Sequence, residues 1–156
     1  MPFLGDQMKY FLAITILLFN IAKASASEVI DSSIIEINSS NKTAISLDSF
    51  LWEKRLIIVF SNDSQDPSFV TQLNYLRNRL DNLKERDVVI ITDTNPNFKS
   101  DIRLKLRPRG FAFILIGKDG KIALRKSQPW QVREISRSID KMPMRKQEIK
   151  LTRPKN

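Results

Sequence analysis

Hydrophobic positions along this chain fall into short apolar runs, separated by stretches with helical spacing. Leu56–Phe60, Val88–Ile91 and Phe111–Ile116 are apolar at nearly every position, the pattern of strands covered on both faces. Between the first two runs, Phe69, Leu73, Leu76, Leu80 and Leu83 recur at spacings of four, three, four and three. That predicts one helix of about four turns with a single apolar stripe. Asp66 and Pro67 give it a start, with an acceptor at the cap and a proline in the first turn. The next stretch has two readings: Phe98–Leu106 spaces as a short helix, yet Ile102–Arg107 also alternates with period two. A parallel strand connection needs a crossover, which favours the helix. Gly117-Lys118-Asp119-Gly120 predicts a turn, with Lys121–Arg125 returning as the hairpin partner. Pro129 opens a last helix carrying Val132, Ile135, Ile139 and Met142 on one face, and Pro143 is expected to end it.

The order is strand, helix, strand, short helix, strand, hairpin strand, helix. It predicts an α/β three-layer sandwich: a mixed central sheet of about four to five strands with flanking helices. Residues 25–50 are rich in Ser, Asn and acidic groups and are expected to form an extended lead-in, with Ile34–Ile37 as an edge strand. The folded domain is expected over 51–148 and a basic tail over 149–156.

Residues 1–24 have the makeup of a signal peptide. Lys9 precedes the apolar run Tyr10–Ala22, and small residues follow it, so cleavage after Ala24 or Ala26 is expected. The run is about 13 residues, short of the ~20 that span a bilayer, so no stable membrane span is expected after cleavage. The competing reading is an uncleaved anchor. Cleavage leaves about 130 residues, enough for one domain with a real core. It removes Lys9, Lys23 and Asp6, one unit of the net charge of +9. The expected location is periplasmic or extracellular.

The composition removes much chemistry. There is no Cys and no His among the 156 residues, so the chain has no thiolate of its own and none of the usual general base or metal-ligand imidazole. Beyond residue 24 the three glycines, Gly110, Gly117 and Gly120, cluster around the third apolar run, leaving no Gly-rich loop to cradle a phosphate. No cofactor and no catalytic residue is expected. Ser61 as a nucleophile would lack an imidazole base.

Four strings carry a resemblance. They are Trp52-x-x-Arg55 before L-I-I-V-F, Glu85-Arg86-Asp87-Val88-Val89-Ile90, Phe113–Gly120, and Ile139-Asp140-Lys141-Met142-Pro143-Met144-Arg145. Together they resemble an exported bacterial family known as domain-of-unknown-function family 4174, over about Trp52–Glu148. The resemblance implies a thioredoxin- or peroxiredoxin-like fold, similar to thioredoxin-like domains of vertebrate extracellular matrix proteins, and brings no established activity. In thioredoxins and peroxiredoxins the reactive Cys lies in the loop after the first core strand or at the next helix start. Here the resemblance puts Ser61, Asn62, Asp63, Ser64 and Asp66 there. Arg109-Gly110 resembles the Arg-Gly opening the matching peroxiredoxin strand, but without a thiolate Arg109 has nothing to assist.

Two features remain as candidate sites. The Ser61–Asp66 loop could hold a ligand or cation, but it lacks the glycine and the twelfth-position glutamate of a calcium loop. Turn and capping chemistry accounts for it, and no metal site is expected. The basic residues are the stronger signal: Lys99, Arg103, Lys105, Arg107 and Arg109, with Arg145 and Lys146 in a second cluster. Extended, the alternating four would share one face. Such a surface attracts anionic partners, including polymers and an anionic membrane surface, while a solvated surface kept for solubility is the plain alternative. Nucleic acid is disfavoured because exposed aromatics are scarce beside the cations. Trp52 and Trp130 read as packing residues. Met142 and Met144 read as a helix stop or an adaptable contact, and the helix stop explains Met142 better than Met144.

The expected function is therefore recognition by an exported, non-catalytic thioredoxin-like domain, through its basic surface, of a protein or an anionic envelope component. The alternative is a thiol-independent or partner-dependent redox enzyme of the same fold class. A third reading is a structural module held by an unprocessed N-terminus.

Overall fold

In this computed structural model the described residues are 33–152, without 39, 42 and 44. The expected signal peptide and positions 153–156 of the basic tail lie outside them. Five strands form one mixed sheet in the order β1-β3-β2-β4-β5. They are β1 (Ile34–Glu36), β2 (Arg55–Phe60), β3 (Val88–Asp93), β4 (Ala112–Ile116) and β5 (Ile122–Lys126). The central β2 runs parallel to β3 and antiparallel to β4, with Phe60 opposite both Asp93 and Ala112. All six residues of β2 are buried, as its unbroken apolar run requires.

Alternation along the strands feeds two separate cores. Ile57, Val59, Ile90 and Leu115 face one layer of helices, while Leu56, Ile58, Phe60 and Ile114 face the other. The first layer holds α1 (Pro67–Arg77), α2 (Leu80–Lys84) and α4 (Val132–Asp140), and the second holds α3 (Asp101–Leu106). This is the expected three-layer sandwich.

Four details differ from the sequence reading. The single helix over Phe69–Leu83 is two: Asn78 closes α1, and Arg79 leaves the helix at φ −142°. Both pieces still lay their leucines on the same core, so apolar spacing does not sense the break. Residues 98–106 are not extended, but only Asp101–Leu106 is α-helix: Phe98 ends a 3-10 turn, Lys99 is left-handed and Ser100 is the cap. The connection is not a parallel crossover, because β4 pairs antiparallel with β2. Pro143 begins a further helix, α5 (Pro143–Thr152), and the Met142 carbonyl accepts from Lys146 N–H at 3.1 Å. A proline at the first helical position loses no bond, since that N–H has no intrahelical partner. The basic tail accordingly starts as helix. The lead-in also contains a 3-10 turn, Leu47–Phe50, capped by Ser46.

The hairpin turn needs its second glycine. Gly120 has φ +75°, and a Cβ there would meet Leu51 Cδ2 at 2.7 Å. The leucine tip can yield, but the backbone cannot. Gly120→Ala is expected to cost about 1–2 kcal/mol, read as a lower urea midpoint. A midpoint equal to the parent's would contradict it.

Candidate functional site

A buried ion pair at the end of β3 lies against the loop after β2, the loop in which the resemblance places a redox centre. Asp93 closes β3 with a side chain of 0 % exposure, and Arg103 of α3 reaches it. Arg103 Nε and Nη2 donate to Asp93 Oδ1 at 3.1 and 2.8 Å. Nη2 also donates to the carbonyls of Ser61 (2.7 Å) and Asp93 (2.8 Å), and Nη1 reaches Asn62 Oδ1 at 3.4 Å. The guanidinium lies 5.2 Å from the Phe60 ring centroid. Ser100 completes the unit: its hydroxyl donates to Asp93 Oδ2 at 2.5 Å and accepts Arg103 N–H at 3.1 Å as the cap of α3. Each carboxylate oxygen therefore has a donor, which lets a charge sit in the interior.

The rest of the loop is engaged in backbone chemistry. Asp66 Oδ1 accepts from Ser68 and Phe69 N–H at 2.8 and 3.0 Å, capping α1. Asp63 Oδ1 accepts from Gln65 N–H at 2.9 Å, and Ser61 Oγ from Asp63 N–H at 3.3 Å. Ser64 is exposed. Among the described residues no group of three acidic side chains is placed to hold a metal ion.

The basic residues do not share a face. On a helix, residues two apart point about 200° apart, so Arg103 turns inward while Lys105 turns out. Arg103 is thus corrected from a surface cation to a buried one. Lys105 is exposed and 3.5 Å from the equally exposed Asp48, a contact of small value. Lys99, Arg107, Arg109 and Lys146 are exposed. Lys99 and Arg107 both have φ +46°, where they close short helical segments. Trp52 is corrected as well, from packing residue to 66 % exposed. Trp130 does pack, edge-on to Phe113 at 6.4 Å.

Arg145 is the second basic candidate withdrawn from the surface. It joins an ion network at the opposite end of the sheet, 3.3 Å from Glu148 and 3.5 Å from Asp140. The centre of that network is Arg55, which opens β2 and is fully buried. Its Nη1 donates to the Arg86 carbonyl at 2.8 Å and its Nη2 to Glu148 Oε1 at 2.9 Å. Lys118 lies 2.8 Å from Asp87 and 2.9 Å from Glu148, and Arg86 forks onto Asp140 at 3.0 and 2.8 Å. Burial works against ionised Glu148, but hydrogen bonds from Arg55 and Lys118 outweigh it and hold the carboxyl down at about 2. Burial likewise opposes charged Lys118, and Asp87 and Glu148 overcome it, raising its pKa. The Arg86 fork lowers that of Asp140, against burial.

Sequence reasoning missed Asp93, Ser100, Arg55 and Glu148. The first and third had a signal: a charged residue ends one buried strand run and begins another. Burial there demands a partner, although the strings do not say which.

The family described as a domain of unknown function (DUF4174) matches residues 46–148. No curated protein is similar enough in sequence to count as a relative. Among solved structures, the chain is similar to a reduced 2-Cys peroxiredoxin of Plasmodium vivax, with 16% identity and a TM-score of 0.54, over 66% of this chain and 85% of that one. It is similar to thioredoxin peroxidase I of Plasmodium yoelii, with 20% identity and a TM-score of 0.51, over 66% and 80%. Chloroplastic thioredoxin z matches with 21% identity and a TM-score of 0.50, over 69% and 94%. At these identities the likeness establishes the thioredoxin-like fold and nothing about activity.

Proposed function

We propose a recognition role from one premise: the chain belongs to the domain-of-unknown-function family DUF4174, on a thioredoxin-like fold with an ion pair buried beneath the loop after β2. In this reading the protein is an exported, non-catalytic thioredoxin-like domain that binds a protein or an anionic envelope component. The observation that carries it is the Arg103–Asp93–Ser100 unit under the Ser61 loop. A group that ties the loop from below has a structural task, and the chain has no thiol or imidazole to put in its place. Export rests on the pattern of residues 1–24.

The binding surface in this reading is smaller than the basic sequence suggests. Arg103 and Arg145 are engaged in ion pairs, which leaves Lys99, Lys105, Arg107, Arg109 and Lys146 as exposed cations with net charge behind them, Lys105 within 3.5 Å of the exposed Asp48. Steering of an anionic partner by such a surface is strong at low salt and falls within a Debye length of about 10 Å at 0.1 M. The test is retention on a sulfated polysaccharide matrix across a salt gradient. Reversing Lys99, Arg107 and Arg109 to Glu should advance elution further than reversing the exposed Arg77, Lys141 and Lys150. Equal shifts for the two triple variants would mean that total charge alone governs retention, and would remove the basic-face reading.

A further inference from the structure

We propose that a groove at the ion-network end of the domain binds a short extended segment of a partner protein, one that presents an apolar side chain beside a carboxylate. The groove is about 440 Å³ and lies where the Trp52 segment, the Gly117–Gly120 turn and the corner between α4 and α5 meet. That volume suits a few residues of a ligand, not a packed domain. The site shares no residue with Lys99, Arg107, Arg109 or Lys146, so it stands independently of the basic-face reading.

Its walls are apolar and adaptable. Trp52, Met142, Pro143 and Met144 line it. Trp52 is held out of the core by its own backbone, with φ 67° and its N–H donated to the Lys118 carbonyl at 2.7 Å. An exposed indole carried on a backbone fixed in this way offers an apolar surface to a partner side chain. The two methionines flank the groove's proline, and their unbranched chains conform to varied partners. This gives Met144 a role that a helix stop does not.

The lining has a surplus of cations. Arg55 lines the groove as a buried cation whose guanidinium is already held by the Arg86 carbonyl and Glu148. Lys118 also lines it and gives two of its three ammonium protons to Asp87 and Glu148. The nearby acceptor is used up: Glu148 Oε1 faces Arg55 and Lys118, and Oε2 faces Arg145. Lys121 adds a cation at the rim, where the one acidic residue, Asp119, accepts from Lys121 N–H. The lining therefore carries more cations than carboxylates, and a carboxylate in the partner answers that charge.

The edge strand favours a peptide as the occupant. Ala123 of β5 lines the groove, and β5 is the last strand of the sheet, paired on its inner side with β4. An extended segment can add its backbone to that outer edge while side chains enter the groove.

The test is fluorescence anisotropy with an end-labelled hexapeptide of alternating leucine and glutamate, titrated with the purified protein. Saturable binding is expected, weakened about tenfold by Trp52→Ala and by Met144→Ser, two changes on the groove wall whose folding is checked by thermal melting. Exchanging glutamate for glutamine or leucine for serine in the peptide should weaken it similarly. At about 1 M salt, where the Debye length is about 3 Å and long-range attraction is screened, reversal of Lys99, Arg107 and Arg109 should leave the wall-variant dependence of peptide binding as in the parent, whatever it does to matrix retention. Absence of saturable binding, insensitivity to both wall variants, or full binding by the serine version would overturn the proposal. So would binding of decanoate through Trp52 without binding of the peptide, which would assign the groove to a lipid acid.

Discussion

Replacing Arg103 with methionine is expected to destabilise the domain by about 3–5 kcal/mol, the range for stripping one partner from a buried ion pair. Methionine fits the space but leaves Asp93 fully buried, with donors only from Ser100 and, at 3.3 Å, from Asn95 N–H. The Ser61 carbonyl and the Asn62 side chain lose a donor in the same step. Arg103→Lys should fall between methionine and the parent, because an ammonium keeps the charge but cannot reach the two carbonyls and the carboxylate as one planar fork. The discriminating variant is the double change Arg103→Met with Asp93→Leu, which removes both charges and should recover most of the loss. Urea titration with linear extrapolation reads all three. A single Arg103→Met variant within about 1 kcal/mol of the parent would contradict the buried-pair account. It would also reopen the end of β3 as a site with a task other than holding the loop.

The same residue shows where sequence reading succeeds and where it stops. Strand and helix order follows from apolar spacing because burial is repetitive: Leu56–Phe60 and Ala112–Ile116 are covered on both faces, and their composition records it. Arg103 breaks that rule. Its neighbours Ile102 and Leu106 mark the inward side of α3, and a cation between them looks like part of a surface alternation until its partner, ten positions upstream, is placed. Charge signs are written in sequence, whereas pairing depends on which strand ends come together. Arg55 and Glu148 are 93 positions apart, and no local pattern joins them. The string that ends in Met-Pro-Met-Arg was legible as a signature and misread as a stop, since a proline has the same sequence appearance at the end of one helix and at the start of the next. The exposed Trp52 was hidden for a related reason, because apolar character alone does not report which way a strained turn points a side chain.

The domain is expected to lose stability as pH falls from about 5 toward 2, and Glu148→Gln should flatten that decline. In the folded protein the Glu148 carboxyl is held at about 2, below its ordinary 4.5. A depressed carboxyl favours the folded state above its unfolded pKa, and this contribution drains away as pH drops through the folded value. The gap sets a ceiling of about 3 kcal/mol, and partial solvent access to the side chain brings the expected share to about 1–2 kcal/mol. Asp140, also lowered by its arginine, titrates in the same direction, so the glutamine variant should flatten the curve without levelling it. Urea midpoints between about pH 2.5 and 6 measure the slope, and an identical slope in parent and variant would refute the assignment to Glu148. The effect has a location as well as a size. α5 has no fully buried residue, and Glu148 is its link to Arg55 of β2 and to Lys118 beside β4. Acid should therefore loosen α5 before the sheet, with its amide hydrogens exchanging ahead of those in β2. Because Pro143 and Met144 belong to α5 and also wall the groove, binding of the glutamine version of the hexapeptide, which does not titrate there, should decline over the same pH range in which α5 loses protection, and earlier than the global unfolding midpoint.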